Sequence, residues 1–215
     1  MESDEEAANT TEKMVCATFR AERGPGADCF QQQLTPGVRQ QKVDMSDRGP
    51  RVIAPIGLVI GAVFGMAGTW VPSASLRGLL WGLDGIALIV ATALLTIHHL
   101  RQGNDVVAAG FLVFVVGETL VLAGAAMALV ASGPVFAAGV GLWAASLPLV
   151  SASNAMPSWV RVVAIVAAFL FAVVAVQVFM GRTLTPLSQP LPFFAYPFLV
   201  ATLFGWAWVH YRNVA

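Results

Sequence analysis

Along most of the chain the hydrophobic positions do not alternate with polar ones. They run together in long blocks, separated by short clusters of Pro, Gly, Ser, His and Arg. A helix needs about 20 mainly apolar residues to cross the hydrocarbon core of a bilayer. Six blocks reach or approach that length: 52–71, closed by Pro72 and Ser73; 79–97, closed by His98 and His99; 106–130, ended by Ser132, Gly133 and Pro134; 135–150; 160–180, ended by Gly181; and 191–209, before His210. Period-two alternation is missing, which argues against a membrane β-barrel. In lipid the backbone has to satisfy its own hydrogen bonds, and that leaves helices. The pattern therefore predicts an all-α, polytopic membrane bundle of six transmembrane helices over residues 51–215. Pro148 makes the inner end of the fourth span the least defined boundary. Pro197 is expected either to kink the sixth span or to shape its first turn.

Residues 1–50 follow another pattern. They hold no long apolar run, a Gln31-Gln32-Gln33 stretch, and turn signals at Gly24-Pro25-Gly26 and Thr35-Pro36-Gly37. Such a segment buries too little apolar surface to offset its ordering entropy, so it is read as a disordered polar tail. It lacks the basic and apolar regions of a secretory signal. Met45 opens a short basic run that would start a membrane protein naturally, so residues 1–44 are read as an over-extended start, with Met45 the alternative. Both cysteines, Cys16 and Cys29, lie in this tail. A tail in a reducing compartment gives little reason to expect a disulfide.

Composition and charge refine this picture. The chain is 57% hydrophobic and 11% charged, with a formal net charge of zero, which removes bulk nucleic-acid binding from consideration. The zero is a cancellation. Residues 1–44 carry eight acids against five bases, whereas the remainder carries seven arginines, no lysine and four acids. Within the membrane part, Arg48, Arg51, Arg101, Arg161 and Arg212 fall on one side of the spans, and Arg77 and Arg182 on the other. The arginine-rich side is the cytoplasmic one, which puts both termini inside. Trp70 and Trp81 then mark the outer interface, Trp159, Trp206, Trp208 and Tyr211 the inner one, and Trp143 lies within its span. The use of Arg without Lys, with much Ala, Gly and Val, suits a bacterial inner-membrane protein.

Small residues recur on helix faces. Gly57, Gly61 and Gly65 repeat every four positions in the first span; Gly110, Gly117 and Gly124 repeat every seven in the third; Gly141 belongs to a stripe in the fourth. These faces allow close helix packing, either within the chain or in a homo-oligomer or membrane complex. The lipid bilayer is the partner the whole pattern requires.

Glu118 is the most informative single residue. It falls near mid-membrane, where an ionised carboxylate is expensive and has to face the bundle or a wet cavity. It is read either as a proton- or cation-linked group or as a structural carboxyl tying helices together. Ser146 and Thr202 reach similar depths and are candidate partners. Asp84 and Gln177 are expected one to two turns nearer the outer face, as an outer vestibule, unless Asp84 pairs with Arg77. His98, His99 and His210 fall at the cytoplasmic edge. As ligands they would suggest a haem or metal; as interfacial residues they would face headgroups, and no cofactor is expected. Nucleotide-binding, hydrolase and metalloprotease motifs are absent, which weighs against an enzyme. The chain thus reads as a small transporter-like or channel-like protein, or alternatively as a non-catalytic membrane subunit or scaffold.

Overall fold

The structure, a computed structural model, describes residues 48–125, 127, 131–152 and 154–212. The expected tail, including Cys16, Cys29 and Met45, lies outside the described residues, except that positions 48–50 already belong to the first helix. The described chain folds into six helices: α1 Arg48–Trp70, α2 Ala74–Arg101, α3 Asp105–Ala125, α4 Gly133–Ser151, α5 Ser158–Phe179 and α6 Tyr196–Arg212. Among the described residues there is no strand. The first five helices are long and apolar enough to cross a membrane. α6 is shorter, at 17 residues.

The helix limits differ from the apolar blocks where local chemistry overrides hydropathy. α2 begins at Ala74 rather than 79 because Ser73 caps it, its Oγ accepting from Leu76 N at 3.4 Å. It also runs past His98 and His99 to Arg101, and the chain turns at Gly103, whose φ of 72° favours glycine. α3 starts at Asp105 and ends at Ala125, short of 130; residues 126 and 128–130 lie outside the described set. α4 continues through Pro148 to Ser151. α6 starts at Tyr196, five residues later than expected, because the chain around Pro190 and Pro192 forms turns. Pro197 therefore sits in the first turn of α6, where its missing N–H has no helical partner to lose.

Each helix packs against its neighbours in chain order, and α6 closes back onto α1, so the six form a ring. The outward face is apolar: Ile53, Ile56, Ile86, Leu112, Val162 and Phe169 are exposed. The buried set includes polar side chains from within the helices, among them Asp84, Thr92, Thr96, His99, Glu118, Ser146, Thr202 and His210. A soluble bundle has the opposite distribution, and this one suits a lipid surround.

Glycines set the close approaches. A methyl built on Gly57 would lie 2.9 Å from Ala91 Cβ and 3.0 Å from Ala87 O, so α1 and α2 touch nearly backbone to backbone. Gly61 faces Leu88, and Gly65 faces Asp84 and Tyr196. Gly110 and Gly117 lie against α4, and Gly124 is within ordinary contact of Ser132. Gly141 has looser contact, with Ala175 on α5. These stripes are used within the ring.

Candidate functional site

The interior of the ring holds an aromatic column with a different polar cluster at each end. Trp206 meets Phe111 at 5.0 Å and Phe114 at 5.8 Å between ring centroids. Phe114 stacks on Trp143 at 5.8 Å, and Trp143 meets Phe171 at 5.3 Å and Tyr196 at 6.4 Å. Asp84 and His99, fifteen residues apart on α2, mark the two ends, a separation of about 22 Å by helix rise.

At the first end, a cavity of about 40 Å³ lies among the helices and is lined also by Ser132 of the α3–α4 connection and by Pro186 and Pro192 of the α5–α6 connection. Roughly 10–15 Å³ is enough for one water, so a few small heavy atoms fit. Its lining includes Asp84 from α2, Glu118 from α3, Trp143 from α4 and Tyr196 from α6. Trp81, Phe136 and Phe171 add aromatic walls. Tyr196 donates its hydroxyl to Asp84 Oδ2 at 3.1 Å. Gly65 makes room for this contact, since a methyl there would lie 2.6 Å from the same carboxyl oxygen. Asp84 Oδ1, Glu118 Oε2 and Trp143 Nε1 are buried without a hydrogen-bond partner. The Trp143 indole lies beside the Glu118 carboxyl, but neither Trp143 Nε1 nor Glu118 Oε2 has a hydrogen-bond partner.

Asp84 and Glu118, about one turn apart in depth, line one cavity. The register of α2 against α3 sets this: Leu122, one turn beyond Glu118, packs on Gly85, next to Asp84. Asp84 does not pair with Arg77. That guanidinium donates to Val71 O at 3.0 Å and Pro72 O at 3.1 Å and lies over the Trp81 ring. Gln177 is half-buried on α5 and is not part of the lining, so the expected vestibule with Asp84 does not form around this cavity. Ser146 and Thr202 are buried but donate to their own helices, to Trp143 O at 2.9 Å and Phe198 O at 2.8 Å, and neither lines the cavity. The sequence reasoning missed Tyr196 as the partner of Asp84.

At the other end, His99 and His210 are buried rather than facing headgroups. Their Nε2 atoms are 3.1 Å apart. His210 Nδ1 lies 2.8 Å from Trp206 O, a carbonyl that can only accept. With both rings neutral, His210 therefore carries its proton on Nδ1, and His99 donates from Nε2 to His210 Nε2. His99 Nδ1 is left buried and unpartnered. The His99 ring stacks on Phe111 at 5.5 Å, and His98 lies beside both, its centroid 5.3 Å from His99 and 6.1 Å from His210. Among the described residues, no group of three or more His, Cys, Asp or Glu side chains is arranged to hold a metal ion.

His210→Ala removes the acceptor for His99 and a donor to Trp206. A loss of ~1–3 kcal/mol is expected, because a buried polar group is left unsatisfied. Chemical unfolding of the single and double variants with His99→Ala should give a coupling energy of ~0.5–3 kcal/mol. Strictly additive losses would mean that the two rings do not interact.

Comparisons with protein-family models, curated proteins and solved structures returned no match.

Proposed function

We propose that the chain is a six-span protein of a bacterial plasma membrane, with α6 as the sixth span and both termini cytoplasmic, acting as a small proton-linked transporter. The orientation rests on the sorting of arginines, with Arg48, Arg51, Arg101, Arg161 and Arg212 on one side and Arg77 and Arg182 on the other. The function rests on one observation: two buried carboxyl groups, Asp84 and Glu118, share a cavity in the interior of the ring. In a low-dielectric interior such groups have to be neutralised by protons or by a bound cation. A site that alternates between the two couples proton movement to solute movement. Tyr196 steadies Asp84 through its hydroxyl, while Glu118 Oε2 lacks a fixed partner and is the group free to exchange.

The alternative of a non-transporting subunit or scaffold draws on the small-residue stripes. Gly57, Gly61, Gly65, Gly110 and Gly117 lie against helices of the same chain, which leaves that reading less to stand on. The test is wild type against Glu118→Gln in proteoliposomes carrying an internal pH dye, under an imposed proton gradient and with a panel of small solutes supplied. Gln keeps the shape but cannot release a proton. Dissipation of the gradient is expected to be protein-dependent and to be lost in the variant. Equal dissipation in wild type, variant and empty liposomes would overturn the proposal.

A further inference from the structure

We propose that the cavity binds a small protonated amine, with the ammonium group between Asp84 and Glu118 and its short alkyl part against the aromatic wall. This deepens the transport reading by naming a substrate class, and it rests on the same cavity.

Charge and hydrogen-bond demand point to the same ligand. Asp84 Oδ1 and Glu118 Oε2 are buried acceptors without donors, on side chains only 4% and 2% exposed. Buried polar atoms in native proteins are nearly always paired, so these two need hydrogen-bond donors. Among the described residues, no Lys or Arg side chain lines the cavity. An ammonium group supplies up to three N–H donors together with the compensating charge.

The rest of the wall sorts the cations. Trp81, Trp143 and Phe171 present ring surface, which favours a desolvated organic cation through its interaction with the π face. Among the described residues no group of three or more His, Cys, Asp or Glu side chains is arranged to hold a bare metal cation, whereas calcium alone takes six to eight oxygen ligands. Thr69, a lining hydroxyl from α1, already donates to Met66 O at 2.7 Å. A quaternary ammonium would satisfy charge and aromatic surface but bring no N–H for the two acceptors. The cavity volume of about 40 Å³ favours a small ligand. The fit is therefore a short primary or secondary alkylamine. Its binding also links to protons: when a cation takes up the pair's charge, a proton that neutralised a carboxyl group leaves to solvent, and the net charge of the site is conserved.

The experiment follows tryptophan fluorescence of the full chain in nanodiscs, because Trp81 and Trp143 line the cavity. The titrants are n-butylammonium, tetramethylammonium and the neutral 1-butanol. Saturable binding of n-butylammonium is expected, weakened at least tenfold by Asp84→Asn and by Glu118→Gln. Butanol should give only the non-saturable slope of partitioning, and tetramethylammonium should bind at least tenfold more weakly. Saturation by butanol to the same degree, unchanged n-butylammonium binding in both variants, or tetramethylammonium binding as tightly as the primary amine would overturn the assignment. Both substitutions are isosteric. If one variant does not elute as a monodisperse species, the other gives the reading. Amine binding without proton flux would keep this site and remove the transport reading, and flux without amine binding would do the reverse.

Discussion

Trp206→Ala is expected to destabilise the bundle by ~3–5 kcal/mol, the range for emptying a large aromatic site in a packed core. Trp208→Ala, two residues along the same helix, should cost no more than about 1 kcal/mol. The difference lies in which face each side chain occupies. Trp206 is 0% exposed and packs on both Phe111 and Phe114, so its removal breaks the column between the two polar ends. Trp208 is 56% exposed and its recorded ring partner is the Arg212 guanidinium, 5.7 Å from the ring centroid, a contact worth about 0.5–1 kcal/mol at an exposed site. In lipid an apolar side chain gains little by leaving its surroundings for the core, so the loss at Trp206 comes from forfeited van der Waals contact and a void. Trp206→Phe should recover much of it, because Phe fills part of the space and also removes an indole N–H that has no partner. Thermal unfolding in a mild detergent gives the ranking. Comparable losses for the two alanine variants would show that Trp206 is not in the core.

The sequence reading placed Trp206 and Trp208 together at the inner interface. Hydropathy blocks fix how deep a residue lies in a membrane but not which way around the helix it points. The missing information was in the phase of the polar residues. Thr202, Trp206 and His210 recur every four positions on α6, and Asp84, Thr92 and His99 fall on one side of α2. In a lipid surround such a polar stripe marks the inward face. Read that way, the burial of His99, His210 and Trp206 was legible, whereas their contacts were not. The pairing of Asp84 with Tyr196 joins residues 112 positions apart and depends on closure of α6 onto α1, which no local pattern encodes. Existence and order of the helices were legible because length and apolarity alone specify them. Their ends were legible only where Pro and Gly punctuate, as at Pro72 and Gly181. The apolar block from 191 onward misled because cyclic and aromatic residues count as hydrophobic while Pro190 and Pro192 turn the chain.

Gly139→Ala should cost ~1–3 kcal/mol, and Gly139→Leu more, because the added atoms have to enter a space already filled by backbone. A methyl on Gly139 would lie 2.8 Å from Gly117 O and 3.1 Å from Val121 N. The converse also holds, since a methyl on Gly117 would lie 2.9 Å from Gly139 O. A flexible side chain could swing aside, but a helix backbone cannot, so α3 and α4 must separate. The separation carries directly to the cavity: Glu118 follows Gly117 in α3, and Trp143 is one turn beyond Gly139 in α4. Amine binding should therefore weaken together with stability. Gly141→Ala supplies the contrast. Its nearest neighbour would be Ala175 Cβ at 3.5 Å, an ordinary contact, so no helix has to move. Replacing a mid-helix glycine there should be neutral or stabilise by up to ~1 kcal/mol through helix propensity. Two glycines two residues apart are thus expected to respond in opposite directions. Unfolding of the two alanine variants side by side would measure this, and a loss at Gly141 equal to that at Gly139 would mean that backbone contact between α3 and α4 does not set the spacing of the carboxyl site.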